Sequence, residues 1–201
     1  MKLINGHTTL RTIRHDDMEQ MRIWRNRECV SRYLVNRHYI SVQQQEIWFQ
    51  TLDYSASIYF MMEESSLAAG VIYAHNIDAT TRSFEGSIFI GSGENVNIQL
   101  PVKACLMLTL FFFDYLNYEN ALSKVHRANT PALQMDRRMG FKEISREGEF
   151  IYSKCAKDTF RFFTEKMRQS LLYNQGVDVV WEEGDERFSF LLPVIERQGK
   201  N

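Results

Sequence analysis

From Val102 to Leu116 the chain reads VKACLMLTLFFFDYL, a helix that is apolar on nearly every side. A helix of this kind must be covered on both flanks. Its uninterrupted apolar part, Ala104 to Phe113, is about half the ~20 residues that a membrane-spanning helix needs. The segment therefore specifies the buried centre of a layered fold. The chain has 201 residues, 44% hydrophobic content and a formal net charge of -1, which suits one soluble domain with a sizeable core. The balanced charge excludes a nucleic-acid binder that relies on bulk charge.

Shorter elements surround that helix. Thr8 to Ile13 reads as a first strand, and Asp16 with Glu19 reads as a capping box for a helix carrying Met18, Met21 and Trp24. Ser41 with Gln44 repeats the signal ahead of Ile47, Trp48 and Phe49. Ser57 to Met62 and Ala68 to His75 read as a hairpin turning through Glu63-Glu64-Ser65-Ser66. In the next strand, Arg82 to Ile90, period-two alternation puts Glu85, Ser87 and Phe89 on one face and Gly86, Ile88 and Ile90 on the other. Asn120 to His126 is a further strand. Pro131 then suits a first helical turn, Arg137 and Arg138 suit a last turn, and Gly140 suits the position after it. Lys142 to Phe163 reads as a hairpin turning near Lys154 to Asp158, Thr164 to Tyr173 as a helix, and Val177 to Leu192 as a hairpin around Gly184-Asp185. The order β-α-α-β-β-β-α-β-α-β-β plus a C-terminal tail predicts an α+β fold, with a mixed central sheet and helices on both faces.

The N-terminus, MKLINGHTTL, lacks the apolar run of a signal peptide. Cys29, Cys105 and Cys155 are odd in number, and no pair has metal-ligand spacing. Free buried thiols in a reducing, cytoplasmic setting are expected, with no metal and no membrane partner.

The stretch from Leu116 to Phe141, LNYENALSKVHRANTPALQMDRRMGF, runs strand, Asn-Thr-Pro, short helix, Gly-Phe. It resembles the second half of the core of the GNAT N-acetyltransferases, with Asn129, Ala132, Gly140 and Phe141 in the family's places and no gap. The element order agrees from about Thr8 to Thr164. The resemblance implies a GNAT-like domain over residues 1–175 and a C-terminal extension over 176–201. It also implies acetyl-CoA as cosubstrate and a small primary amine as the other partner. Met21 to Tyr33, MRIWRNRECVSRY, with Ile40-Ser41 and Trp48-Phe49, is similar to the branches that acetylate nucleotide-linked amino sugars and ribosomal-protein N-termini. That likeness places Trp24, Arg25 and Asn26 near the acceptor, together with His75.

The family's phosphate-binding loop would align Val96, Gln99 and Pro101 with positions that normally hold Gln or Arg, Gly, and Gly or Ala. None matches. Glycine there permits close approach of backbone to phosphate, and Pro101 removes one amide donor. The helix N-terminus keeps its partial positive charge, and Lys103 in the first turn opposes that dipole unless it meets an anion. The resemblance implies cosubstrate binding by Ile88, Phe89 and Ile90, by Asn97, Ile98, Gln99, Leu100 and Lys103, and by Asn129, which would hold the pantetheine arm. Gly91-Ser92-Gly93 closes the strand.

Glu85 is the expected general base, acting on the acceptor ammonium through a water. The alternative is a strand-end carboxylate paired with a cation such as Arg82. The family's usual general acid, a Tyr, is replaced here by Asp136. Either the chain uses no side-chain acid, which the ordinary range of carboxylate pKa values favours, or Asp136 is raised. His75 and His126 end strands. Trp24, Tyr33, Tyr39, Trp48 and Phe49 either line an acceptor pocket, where a sugar or base would stack, or form core. The implied function is an acetyl-CoA-dependent N-acetyltransferase for a small primary amine, such as a nucleotide-linked amino sugar. The alternatives are a protein N-terminal acetyltransferase and a GNAT fold that serves binding or assembly without turnover. Exposed edge strands and the tail hairpin leave room for a homodimer.

Overall fold

The fold was determined as a computed structural model, which describes residues 1–91, 97–185 and 187–188. The expected core order appears, with additions. The strands are β1 (Lys2–Asn5), β2 (Thr8–Thr12), β3 (Ile58–Glu64), β4 (Leu67–Asp78), β5 (Ser83–Ile90), β6 (Asn120–His126), β7 (Lys142–Glu147), β8 (Phe150–Ala156) and β9 (Asp178–Val180). The helices are α1 (Met18–Asn26), α2 (Glu28–Ser31), α3 (Val42–Gln50), α4 (Leu100–Leu110), α5 (Thr130–Arg138) and α6 (Lys157–Leu171). All nine described strands form one mixed sheet in the order β7-β8-β6-β5-β4-β3-β2-β1-β9.

Local chemistry explains most boundaries. Ser41 Oγ accepts the Gln44 amide at 3.2 Å, and Gln44 Oε1 accepts the Ser41 amide at 2.8 Å, so the expected capping box of α3 is present. The expected box at Asp16 is not; its neighbour Asp17 does the capping. Asp17 Oδ2 accepts the Arg14 amide at 2.7 Å, and its carboxylate takes both Arg11 guanidinium nitrogens at 2.7 and 2.8 Å. Burial favours Asp17 because only there does the carboxylate meet a bidentate partner. The β7–β8 turn falls at Gly148-Glu149, earlier than expected, and α6 begins at Lys157. Lys154 to Asp158 therefore lies at the end of a strand and the start of a helix, not in a turn. The four-residue β1 and three-residue β9 are too short to show a period, and they pair with each other, Leu3 opposite Val179. Val177 onward was expected to form a hairpin around Gly184-Asp185. Asp178–Val180 pairs with β1 instead, and residues 189–201 lie outside the described residues. Asn5 secures this arrangement: its Nδ2 donates to the Tyr173 and Gly176 carbonyls, and its Oδ1 accepts the Tyr173 amide.

The sheet divides two cores. On one face α4 and α6 pack on Leu10, Ile58, Phe60, Ile72 and Phe84. On the other α1 and α3 pack on Met61, Val71, Tyr59, Tyr73 and Phe89. α4 continues into a π-helical turn, Phe111–Tyr115, closed by the Leu116 amide on the Phe111 carbonyl at 3.0 Å. This turn lets three consecutive phenylalanines, Phe111, Phe112 and Phe113, all be buried. Phe112 stacks on Phe84 at 4.0 Å and Phe113 meets Phe160 edge-on at 5.4 Å. Burying each such ring stabilises the fold by about 1.5–3 kcal/mol. Of the cysteines expected to be buried, Cys155 is, Cys105 is half-buried, and Cys29 on α2 is exposed.

One feature of the sheet positions everything that follows. β5 and β6 run parallel but pair only at Ser83–Asn120, Phe84–Ala121 and Glu85–Leu122. β5 continues to Ile90, still paired with β4, and β6 to His126, still paired with β8. Beyond Glu85 the two strands part, and their facing edges have no strand partner.

Candidate active site

Glu85 occupies the last paired position before the strands separate. Its Oε2 accepts Asn76 Nδ2 at 3.1 Å, and its Oε1 lies 3.4 Å from His75 Nε2. Register puts His75 directly opposite Glu85 and Tyr73 opposite Ser87. His75 Nε2 also lies 3.3 Å from Ser87 Oγ. The Glu85 carboxylate favours the imidazolium, but burial, helped by the Lys124 charge, outweighs it and lowers the His75 pKa. The site therefore places Glu85 beside an imidazole that burial keeps neutral and able to accept a proton. Arg82 is not the cation at Glu85: it bonds Glu119 at 3.2 Å.

On the α1–α3 side a cavity of about 380 Å³ opens, with Arg25, Trp48, Tyr59, Tyr73 and Phe89 among its walls. Tyr59 and Tyr73 stack at 4.5 Å, and Trp48 meets Tyr59 edge-on at 5.1 Å. The alternation that placed Glu85 and Ser87 together also places Tyr73 beside His75, so both tyrosines could have been found from the strand pattern. The segment 36–40 roofs the cavity. Asn26 Nδ2 donates to the Ile40 carbonyl, and Asn26 Oδ1 accepts the Ile40 amide, both at 2.8 Å.

Of the residues expected at the acceptor, Arg25 lines the cavity, and Asn26 holds its roof without lining it. Trp24 does neither: it is core, 4% exposed, with its ring against Gly91. A Cβ at Gly91 would sit 1.8 Å from that ring, so only glycine permits the contact. Trp24 is the one member of the expected aromatic set that is wholly core. Tyr39 and Trp48 line the cavity, Phe49 packs against the smaller core, and Tyr33 meets the ring of buried His126 at 5.9 Å.

On the other side of the parted strands, Ile88 and Ile90 turn their side chains into the larger core while Phe89 lines the cavity. Their backbone is what remains on the open edge. At the start of α4, Leu100 is buried and Ile98 is 90% exposed. Asn97 satisfies two amides there: its Oδ1 accepts from Gln99 at 3.0 Å and its carbonyl from Leu100 at 2.9 Å. Lys103 does not sit free for a phosphate. Its Nζ donates to the Asn5 carbonyl at 2.9 Å, and burial lowers its pKa. Its place in the first turn has a structural reason, the tie to the β1–β2 turn. Val96, Ser92 and Gly93 lie outside the described residues. Asn129 caps α5, its Oδ1 accepting the Ala132 amide at 3.4 Å, and Gly140 beyond that helix has φ +90°. Asp136 accepts Ser123 Oγ at 2.6 Å, and burial pushes its pKa from 3.8 to about 6. No sequence signal points to Ser123, which meets Asp136 only when β6 and α5 pack.

A strand pair parted beyond a carboxylate, with a helix starting near the gap, agrees with the comparisons. The description of an acetyltransferase (GNAT) domain matches residues 7–142, and the chain belongs to that family. Solved structures with the same fold include apo FdhC, a nucleotide-linked sugar GNAT, at 20% identity and TM-score 0.73, covering 85% of this chain and 98% of that one. Another is spermidine N-acetyltransferase from Vibrio cholerae in complex with CoA and spermine, at 18% identity and TM-score 0.69, covering 78% and 99%. A third is a probable acetyltransferase, at 20% identity and TM-score 0.66, covering 79% and 98%. No curated protein matches the chain in sequence. The family's acetyltransferases use acetyl-CoA as cosubstrate. The edge of Gly86–Ile90 that faces β6 is left without a strand partner among the described residues. Among the described residues no helix is long and apolar enough to cross a membrane, and no group of His, Cys, Asp or Glu could hold a metal.

Proposed function

We propose that the chain transfers the acetyl group of acetyl-CoA to the primary amine of a small molecule in the cytoplasm. The observation that carries this reading is Glu85 at the point where β5 and β6 part, beside His75, whose ring packs on Tyr73 of the cavity wall at 5.4 Å. Glu85, directly or through a water, takes the proton of the acceptor ammonium. The free amine attacks the thioester carbonyl, whose developing negative charge meets backbone amides of Gly86 to Ile90. The thiolate leaves and the amide bond remains. The stacked Tyr59–Tyr73 pair with Trp48 favours a ring-bearing acceptor such as a nucleotide-linked amino sugar.

A second reading, binding without turnover, is favoured by the start of α4. Asn97 takes two of its amides and Pro101 has none. Titration calorimetry with acetyl-CoA, followed by CoA release on adding amines, separates the two. The transferase reading expects both binding and release. Binding with no release across sugar, nucleotide-sugar, polyamine and peptide amines would favour the second reading.

A further inference from the structure

The cavity, joined to Glu85 through Tyr73 and His75, contains a cation without a counter-ion among the described residues. Arg25 reaches it from the last turn of α1, and its Nη2 donates to the Asn36 carbonyl at 2.7 Å. Its Nη1 is buried and has no hydrogen-bond partner among the described residues. No aspartate or glutamate among them lines the cavity. The neighbouring acidic groups are the phenols of Tyr73 and Tyr59, which burial keeps protonated and therefore neutral. Burial correspondingly lowers the Arg25 pKa. A half-buried guanidinium with one buried nitrogen left unpaired is costly, and its planar fork matches an oxyanion.

We infer that the acceptor carries an anionic group, a phosphate or a carboxylate, which Arg25 binds over the tyrosine floor while the amine reaches Glu85. This rests on the proposed transfer and names its substrate class. A polyamine offers only cations, and here it would meet Arg25 with no carboxylate in the walls.

The test uses the full chain and four amines: 2-amino-2-deoxyglucose 1-phosphate, its uncharged methyl glycoside, 6-aminohexanoate and spermidine. Binding is followed without acetyl-CoA by titration calorimetry, and transfer by CoA release. At least one anionic amine should bind about 100-fold more tightly than the methyl glycoside, as a charge-assisted bidentate pair allows. The phosphate and carboxylate arms tell which anion is meant. R25M should bring that amine down to the level of the methyl glycoside, and R25K should retain part of the preference. Equal binding of neutral and anionic amines, tighter binding of spermidine, or no binding of either anionic amine at millimolar concentration overturns the inference. So does an unchanged preference in a folded R25M. If R25M does not fold, the order of ligands on the native chain decides alone. Arg25-dependent binding without CoA release upholds the anion site and removes the transfer reading. Faster release with spermidine does the reverse.

Discussion

In the proposed mechanism Glu85 serves by position, since one residue earlier, at Phe84, a side chain points into the larger core on the other face. Glu85→Gln keeps size and hydrogen bonding but removes the base. Turnover should fall by about 10²–10⁴-fold, the acetyl-CoA dissociation constant should stay the same, and the acidic limb of the pH–rate profile should vanish. Near-normal turnover would shift the base to His75, whose lowered pKa already leaves it neutral. Asp136 makes a prediction about stability. Its folded pKa of about 6 lies above the ordinary 3.8, so the folded state holds a proton that the unfolded chain releases. The resulting stability is complete below pH 3.8 and lost as pH rises through 6. At pH 7.5 the buried ion costs up to about 3 kcal/mol. Asp136→Asn should raise the melting temperature at pH 7.5 and flatten its fall between pH 4 and 6; an unchanged pH profile would mean the carboxyl is solvated. Lys103→Ala should cost about 1 kcal/mol of stability by freeing the Asn5 carbonyl. It should leave acetyl-CoA affinity unaltered, and a tenfold loss of affinity in titration would return Lys103 to the phosphate.

At the scale of elements, legibility followed locality. α3 could be read because Ser41 caps its own helix within three residues, and α5 because Pro131, Arg137, Arg138 and Gly140 mark its ends. The buried centre at α4 could be read because its apolar residues are contiguous. The turn at Gly148 was misplaced because β7 is exposed along its whole length, so it carries no alternation to mark its end. The site was legible only in part. Glu85 and Arg25 came from the family resemblance and Tyr73 could have come from strand alternation, but Ser123 meets Asp136 only when β6 and α5 pack. Trp24, read as a pocket residue, is core because Gly91 lets its ring lie on backbone. The start of α4 was read correctly as poor in donors, but the strongest cause, Asn97 capping Gln99 and Leu100, needed the fold. Pro101→Ala restores one amide to that turn. If pyrophosphate meets it, acetyl-CoA should bind up to about tenfold more tightly in calorimetry, one charge-assisted hydrogen bond being worth about 1.5 kcal/mol. Unchanged affinity would place the phosphates elsewhere.

The whole molecule is one sheet held across its middle by three residue pairs, Ser83–Asn120 to Glu85–Leu122. β1 to β5, extended by β9, form one half, and β6 to β8 form the other. α4 and the Phe84–Phe112 stack tie the halves from one side, and Arg37 on Glu149, at 2.6 Å, ties the roof segment to the β7–β8 turn on the other. The strand edges left open between those ties amount to a built-in clock. Main-chain hydrogens on the free edge of Gly86–Ile90 should be replaced by solvent deuterium quickly, while those of β3 and β4, locked in ladders, wait for deeper opening. Acetyl-CoA lying between the halves would stop that clock on β5 and leave β3 at its former pace. Mass spectrometry of the two peptides, with and without acetyl-CoA, reads the difference directly, and equal slowing everywhere would mean that the ligand tightens the fold without entering the gap.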